Sequence, residues 1–170
     1  MKAIVLCAGK GTRLRPITFT NAKPLIPIAN KPTIMYSLEK IKLAGITEVG
    51  LIVNPDNKKD FQDSLGNGEK IGLKIDYIIQ DDPKGLAHAV SLTEEFIDGD
   101  NFLMYLGDNL INSDLTKFVR DFEESGNDSN ILLTPVEDPT RFGIAVIEDG
   151  KIVKVVEKPK DPPSNLAIIG

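Results

Sequence analysis

The hydrophobic positions of this chain form short apolar runs separated by longer amphipathic segments. Continuous apolar runs are typical of strands buried on both faces of a parallel sheet. By pattern and β-branched or aromatic content, strands are predicted over residues 2–7, 48–54, 74–80, 102–106 and 130–136. Helices are predicted over residues 33–45, 56–65, 85–96 and 115–122. This alternation predicts an α/β fold with a mostly parallel sheet covered by helices on both faces.

Two of the predicted helices have candidate capping residues at their first turn. Thr33 follows Pro32 and is predicted to cap the helix whose apolar stripe begins at Ile34. Asp114 is predicted to cap the helix that begins at Leu115.

The pattern changes after residue 136. Residues 142–148 and 151–157 are predicted strands, and Asp149-Gly150 between them is a two-residue hairpin signal. Residues 166–170 form a further apolar run that resembles the start of a strand. Because native termini are usually polar, we expect the chain to be truncated at its C-terminal end.

Composition and charge narrow the class of protein. The chain has 170 residues, of which 41% are hydrophobic and 26% charged, as in a globular domain. Its net charge of −5 argues against a nucleic-acid or anionic-membrane partner. No run approaches the about 18 apolar residues of a membrane span, and no secretory signal is visible. The single cysteine, Cys7, excludes an intrachain disulfide framework and a Cys-cluster zinc site, so we expect a cytoplasmic protein.

A glycine-rich loop follows the first predicted strand. Gly9 and Gly11 let the backbone approach a ligand closely and direct N–H groups toward an anion. Hydroxyl and cationic side chains accompany them at Lys10, Thr12, Arg13 and Lys23. Arginine offers a fixed fork suited to phosphate oxygens. The loop therefore has the chemistry of a phosphate-binding site.

Two common phosphate-binding motifs do not fit this loop. The P-loop spacing of Gly, four residues and Gly-Lys-Ser/Thr is absent. Leu14 stands where a dinucleotide fingerprint needs its third glycine, which disfavours a dinucleotide-dependent oxidoreductase. On these residues alone, a glycine-rich turn that binds no ligand remains an alternative.

Polar residues follow two further predicted strands, where ligands bind in open α/β sheets. Asp108 follows the strand over 102–106, and its carboxylate suits Mg²⁺, which takes one or two carboxylates plus phosphate oxygens and waters. Gln80 ends another strand, and its amide offers the donor and the acceptor that a pyrimidine edge requires. His88 and Cys7 have no evident partners for chemistry, and we interpret both as structural residues.

Taken together, the motifs resemble the signature of sugar-1-phosphate nucleotidyltransferases. They are found, in the family's order, at residues 9–16, 23–27, 30–32, 80–88, 106–109, 138–143 and 156–159. The resemblance is closest to the long glucose-1-phosphate thymidylyltransferase branch, specifically to the N-terminal part of its catalytic domain. It implies a Rossmann-like, mostly parallel sheet flanked by helices, with an antiparallel hairpin near the C-terminal end, of the nucleotide-diphospho-sugar transferase type. Residues 1–170 would then form a single nucleotidyltransferase domain.

The resemblance also implies a reaction. A nucleotidyl group would pass from a nucleoside triphosphate, with dTTP favoured, to a hexose 1-phosphate, with glucose 1-phosphate favoured, giving a nucleotide sugar and pyrophosphate. Mg²⁺ would be required, and the full-length protein would be a homo-oligomer. A uridylyltransferase making UDP-glucose or a UDP-amino sugar is an alternative, because thymine and uracil share the same hydrogen-bonding edge. A non-catalytic nucleotide-binding regulatory module is an alternative of another class.

The family's site residues map onto this sequence. The resemblance implies catalytic roles on the phosphates for Arg13 and Lys23, and metal binding by Asp108. It assigns nucleotide binding to Leu6, Ala8, Gly9, Gly11, Thr12, Arg13, Gln80 and Gly85, and sugar-phosphate binding to Leu106, Gly143, Glu157 and Lys158. Neighbouring strand residues point to opposite faces, so Glu157 and Lys158 can both serve only if Pro159 ends the strand. The family's second metal aspartate lies beyond residue 170, so we expect this chain alone to be weakly active or inactive.

Overall fold

The computed structural model describes residues 1–9, 11, 14–19, 22–82 and 84–169, with the Phe19 side chain excepted. The chain divides into two compact units, Met1–Glu124 and Ser125–Gly170, here called the first and second units. That residues 1–170 form one nucleotidyltransferase domain stays a prediction. Within the described residues, no helix has both the length and the apolar character needed to cross a lipid bilayer.

The first unit alternates strands and helices. Its strands are β1 (Lys2–Leu6), β2 (Pro27–Ile28), β3 (Lys31–Pro32), β4 (Glu48–Val53), β5 (Lys74–Ile79) and β6 (Phe102–Leu106). Its helices are α1 (Thr33–Leu43), α2 (Lys58–Leu65), α3 (Leu86–Ser91) and α4 (Glu94–Ile97), and α5 (Leu115–Ser125) follows them. Short 3-10 turns lie at Ile17–Phe19, Lys23–Leu25 and Glu69–Ile71.

A parallel four-stranded sheet organises the first unit, with strand order β5-β4-β1-β6. Val5 of the central strand is paired with Leu51 on one side and with Tyr105 on the other. Alternate residues of β1 face two different apolar clusters: Val5 packs with α1, whereas Ile4 packs with Ala89 and Ile97. The predicted α/β fold, with a parallel sheet covered on both faces, is therefore confirmed.

The helix ends follow the predictions only in part. Asp114 caps α5, because its Oδ1 accepts hydrogen bonds from the backbone N–H groups of Thr116 at 2.9 Å and Lys117 at 3.4 Å. The prediction that Thr33 caps α1 is wrong. Thr33 is the first residue of the helix, and its hydroxyl donates instead to the Ile26 carbonyl at 2.8 Å.

The helix predicted over residues 85–96 is interrupted. It consists of α3 and α4, separated at Leu92 and Thr93. The fully buried Thr93 donates its hydroxyl to the Val90 carbonyl at 2.6 Å. Such local side-chain bonds compete with the regular helical pattern, which explains the break.

The second unit is an antiparallel sheet with strand order β7-β10-β8-β9. Its strands are β7 (Leu133–Pro135), β8 (Gly143–Glu148), β9 (Lys151–Glu157) and β10 (Leu166–Ile168). The predicted hairpin is confirmed, with Asp149 and Gly150 at φ of 49° and 76° between the paired residues Glu148 and Lys151.

The strand predicted over residues 130–136 does not join the parallel sheet. It shortens to β7, which pairs antiparallel with β10 through Thr134 and Ala167. Pro135 has no N–H to donate, and proline is tolerated in a strand at the edge of a sheet, which is where β7 lies.

Candidate active site

A cavity of about 640 Å³ opens at the carboxyl edge of the parallel sheet of the first unit. The sheet strands β1, β5 and β6 all end at this edge because they run in the same direction. Nine residues predicted from the sequence line it: Leu6, Ala8, Gly9, Gly11, Lys23, Gln80, Gly85, Leu106 and Asp108. The sequence analysis did not assign four other lining residues, Leu14, Pro24, Leu86 and Ala89. Thr12 and Arg13 lie outside the described residues.

Lys23 and Asp108 form an ion pair in this cavity. The ammonium group of Lys23 donates to Oδ2 of Asp108, and the two side chains are 39% and 32% exposed. Lys23 begins the 3-10 turn that the buried Pro24 continues, and its carbonyl accepts from the Ile26 N–H at 3.2 Å. The turn therefore anchors the backbone of the lysine while leaving its charged end in the cavity.

Gly11 is held in a conformation that favours glycine. Its φ is +57°, and its carbonyl accepts from the Thr18 hydroxyl at 2.8 Å and from the Leu14 N–H at 3.0 Å. A Cβ at this position would lie 2.9 Å from Thr18 Cγ2 and 3.2 Å from Lys23 Cβ. Both the dihedral angle and the close packing against the catalytic lysine candidate therefore require glycine.

Asp108 follows a glycine that packs directly against β1. The Gly107 N–H donates to the Leu6 carbonyl at 3.1 Å, and a Cβ on Gly107 would collide with Cys7 Sγ. Burial raises the pKa of the Cys7 thiol, and the negative charge of Asp108 raises it further. Cys7 is therefore a neutral packing residue behind the carboxylate, as the sequence interpretation has it.

Gln80 lies at the end of β5 and is only 5% exposed. Its backbone N–H donates to the Val53 carbonyl at 2.9 Å. Its side-chain nitrogen Nε2 lies 3.0 Å from Nδ1 of His88 on α3. The sequence analysis left His88 without a partner. The signal that could have shown this contact is the position of His88 in the first turn of a helix that begins directly after Gly85.

The second unit brings three of the predicted sugar-phosphate residues together. Gly143 of β8 is paired with Glu157 of β9, and a Cβ on Gly143 would lie 3.1 Å from Glu157 Oε2. The strand ends at Glu157, and Lys158 turns to a φ of +44° so that its ammonium group lies 3.2 Å from Glu157 Oε1. The regular strand therefore ends before Lys158, which is the condition under which Glu157 and Lys158 can both face one ligand. Leu106, the fourth predicted member, lines the cavity of the first unit.

Among the described residues that line this cavity, one side chain, that of Asp108, carries a carboxylate, and it forms the ion pair with Lys23. In the part of the chain that the structure describes, no cluster of three or more His, Cys, Asp or Glu side chains is placed to hold a metal ion.

Comparisons with known proteins agree with this fold. The chain is 37% identical, with a TM-score of 0.96, to a protein from Bacillus anthracis assigned as a glucose-1-phosphate thymidylyltransferase and crystallised with sucrose; the match covers 100% of this chain and 69% of that one. A UDP-glucose pyrophosphorylase in complex with UDP-glucose matches at 28% identity and a TM-score of 0.83, covering 99% and 74%.

A curated relative, the glucose-1-phosphate thymidylyltransferase of Streptomyces antibioticus, is 49% identical over 100% of this chain and 48% of its own length. The chain thus spans about half the length of this relative. The family model described as nucleotidyl transferase matches residues 2–170. The chain that carries this cavity therefore belongs to the nucleotidyl transferase family.

Proposed function

We propose that this protein transfers a nucleotidyl group from a nucleoside triphosphate, with dTTP favoured, to a hexose 1-phosphate, with glucose 1-phosphate favoured. The observation that carries the proposal is the cavity itself, where Lys23, Asp108, Gln80 and the backbone of the glycine loop converge. These groups suit a phosphate chain and a base. The names of the Streptomyces antibioticus and Bacillus anthracis relatives support the choice of substrates.

The reaction needs positioning and charge neutralisation. A phosphate oxygen of the sugar 1-phosphate attacks the α-phosphorus, the bond from that phosphorus to the bridging oxygen breaks, and pyrophosphate leaves. Both reactants are anions, so cationic groups and backbone N–H groups at the reacting phosphates lower the barrier. Lys23 would neutralise phosphate charge from its place in the cavity, and Arg13 is also proposed to neutralise charge on the triphosphate. Thr12 and Gly9 would add hydrogen-bond donors.

The residues at the cavity fit Mg²⁺. Asp108 offers a carboxylate, and this ion usually combines one or two carboxylates with substrate phosphate oxygens and waters. When bound, Mg²⁺ would neutralise charge on the triphosphate. Asp108 would hold the ion, while Lys23 would exchange its present carboxylate partner for phosphate oxygens.

Gln80 is proposed to select a pyrimidine with an imide edge. Its buried amide supplies a donor and an acceptor, which complement the N–H and carbonyl of thymine or uracil. A methyl group alone separates the two bases and is worth only about 1 kcal/mol. Uridylyl transfer is therefore the second candidate, and the similarity to a UDP-glucose pyrophosphorylase favours considering it.

The sugar phosphate is proposed to bind Gly143, Glu157 and Lys158. The carboxylate of Glu157 can accept hydrogen bonds from sugar hydroxyls, and the adjacent ammonium group of Lys158 can meet the sugar phosphate. Both side chains are mostly exposed, at 70% and 60%, and so are available to a ligand.

Pyrophosphate release from a matrix of nucleoside triphosphates and sugar 1-phosphates, with Mg²⁺, tests this function in the complete protein. The expected result is release that requires both substrates, with dTTP or UTP preferred over purine nucleotides and CTP. An Asp108→Ala variant is the matched negative control. Triphosphate binding without pyrophosphate release would instead support a regulatory module, and no binding at all would contradict the proposed site.

A further inference from the structure

The hydrogen bond between Gln80 and His88 fixes which way the Gln80 amide faces. The amide nitrogen Nε2 carries only donors, and it lies 3.0 Å from His88 Nδ1. Nδ1 must therefore accept the hydrogen bond, which places the imidazole proton on His88 Nε2. One amide N–H is used in this way, and the carbonyl oxygen Oε1 and the second N–H are left for other partners.

The orientation of the amide determines which base it complements. An imide edge, as in thymine or uracil, presents an N3–H donor beside a carbonyl acceptor at C4. Cytosine presents the reverse order, with an N3 acceptor beside an amino donor. A glutamine free to rotate by 180° about its last bond can serve either edge, because its oxygen and nitrogen simply exchange places. A glutamine held by a fixed acceptor serves only one.

Both partners are held in place by the fold. Gln80 is 5% exposed and its backbone is bonded to Val53 of the neighbouring strand. His88 lies in the first turn of α3, next to the buried Ala89 that anchors this helix on the sheet. The His88 ring is therefore presented by packed secondary structure, and a 180° rotation of the amide would keep this hydrogen bond only if the imidazole proton moved from Nε2 to Nδ1.

We propose that His88 is a positioning residue that locks the Gln80 amide in one orientation and so makes the cavity selective for imide-edge pyrimidine nucleotides over cytosine nucleotides. This inference rests on the proposed function, in which Gln80 meets the base. His88 acts through Gln80.

Two substitutions at His88 separate positioning from packing. His88→Phe keeps a ring of similar size but removes the acceptor, whereas His88→Asn keeps an acceptor near the position of Nδ1. We expect His88→Phe to lower the ratio of kcat/KM for dTTP over dCTP by about tenfold, the order expected for one lost hydrogen bond. We expect His88→Asn to restore most of that ratio. The affinity for inorganic pyrophosphate, the probe for the phosphate site, should stay unchanged in both variants.

The outcomes distinguish this inference from the proposed function. If the wild-type protein neither binds nor uses pyrimidine triphosphates, the proposed function fails. If the wild type uses dTTP and folded His88→Phe keeps the same dTTP-to-dCTP ratio, the positioning role is overturned. A loss of thermal stability with an unchanged ratio would likewise assign His88 to packing alone.

A second measurement uses the wild-type sequence and needs no substituted protein. His88 is the only histidine of these 170 residues, so in this chain the ¹⁵N NMR signals of its two imidazole nitrogens do not overlap with those of another histidine. We expect the imidazole proton on Nε2, with Nδ1 in the hydrogen-bonded acceptor state. A proton on Nδ1 would contradict the proposed orientation.

Discussion

Lys23 and Asp108 are paired with each other in the cavity, so the positive charge of the ammonium group and the negative charge of the carboxylate neutralise one another. Both side chains are about one third exposed, and a pair of this kind contributes at most about 1 kcal/mol to stability. Opening the pair is therefore inexpensive. In the proposed function, Lys23 would then bind phosphate oxygens of the triphosphate, and Asp108 would bind the metal.

Substitution of Lys23 and substitution of Asp108 should have different effects on dTTP binding. Lys23→Ala should weaken dTTP binding by about 10- to 100-fold, the range for a lost charge-assisted hydrogen bond. Asp108→Ala should abolish turnover with Mg²⁺ but retain or tighten dTTP binding without the metal, because Lys23 is then unpaired. Isothermal titration with and without Mg²⁺ checks both.

Lys31 provides the matched control for that experiment. Its ammonium group forms an ion pair with Glu39 Oε2 at 2.7 Å, and neither residue lines the cavity. Lys31→Ala should leave dTTP affinity unchanged. Equal losses in Lys23→Ala and Lys31→Ala would show only a general effect of net charge and would contradict the role of Lys23.

Gly11→Ala should impair the site through both backbone and packing. A side chain at φ of +57° costs about 1–2 kcal/mol, and the new methyl group would press on Thr18 and on the stem of Lys23. We expect a lower free energy of unfolding together with weaker dTTP binding. Denaturant titration and calorimetry measure the two effects separately.

Gly126→Ala separates the backbone effect from the packing effect. Gly126 has a similar φ of +66°, and a Cβ there would meet no atom within 4 Å. It should lose stability without losing dTTP affinity. Unchanged dTTP affinity in Gly11→Ala would contradict the claim that the packing of Gly11 against Lys23 supports dTTP binding.

Gly107→Ala should be destabilising because its methyl group would collide with Cys7 Sγ. Overpacking of this kind costs about 1–3 kcal/mol. Cys7→Ala removes the sulfur. The double variant should therefore lose less free energy of unfolding than the sum of the losses in the two single variants. A double-mutant cycle on the free energy of unfolding measures this coupling, and additive effects would contradict the contact.

Asp114→Ala should lower the melting temperature by removing the cap of α5, whereas Asp114→Asn should retain much of the stability. Hydrogen bonds, chiefly from the Lys117 N–H, hold the pKa of Asp114 below its ordinary value of 3.8. A lowered pKa means that the ionised cap stabilises the fold above pH 3.8, and that this contribution is lost as the pH falls through the folded-state pKa.

Melting curves between neutral and strongly acidic pH check this dependence. The advantage of the wild type over Asp114→Ala should be largest at neutral pH and should shrink below the ordinary carboxyl pKa. A difference in melting temperature that stays constant over this pH range would show that the charge of Asp114 does not contribute to stability through the cap.

The parts of the fold that depend on local patterning were predictable from the sequence. Strand β1 is buried on both faces, which imposes a continuous apolar run, whereas in β6 the alternate residues Leu103 and Tyr105 are buried and Phe102 is exposed. Parallel strands end at one edge of a sheet, and this rule predicts that Gly11 and Asp108 lie at the same edge, where both line the cavity.

The remaining features depend on partners far away in sequence. The pairing of β7 with β10 is set about 30 residues downstream, and the local pattern at Thr134 shows only that a strand is favourable. The hydroxyl of Thr33 has a carbonyl, Ile26, as its partner, and this removes it from the capping role. His88 is recognisable as a partner of Gln80 only when α3 is packed beside the end of β5.

A crystal structure of the complete protein with dTTP and Mn²⁺ in place of Mg²⁺ tests the central claim most directly, because the anomalous signal of manganese locates the metal. We predict the triphosphate against Lys23 and Gly11, the base at Gln80, manganese bound to Asp108, and the ion pair between Lys23 and Asp108 opened. A triphosphate outside this cavity, or a metal distant from Asp108 with the ion pair intact, would contradict the account.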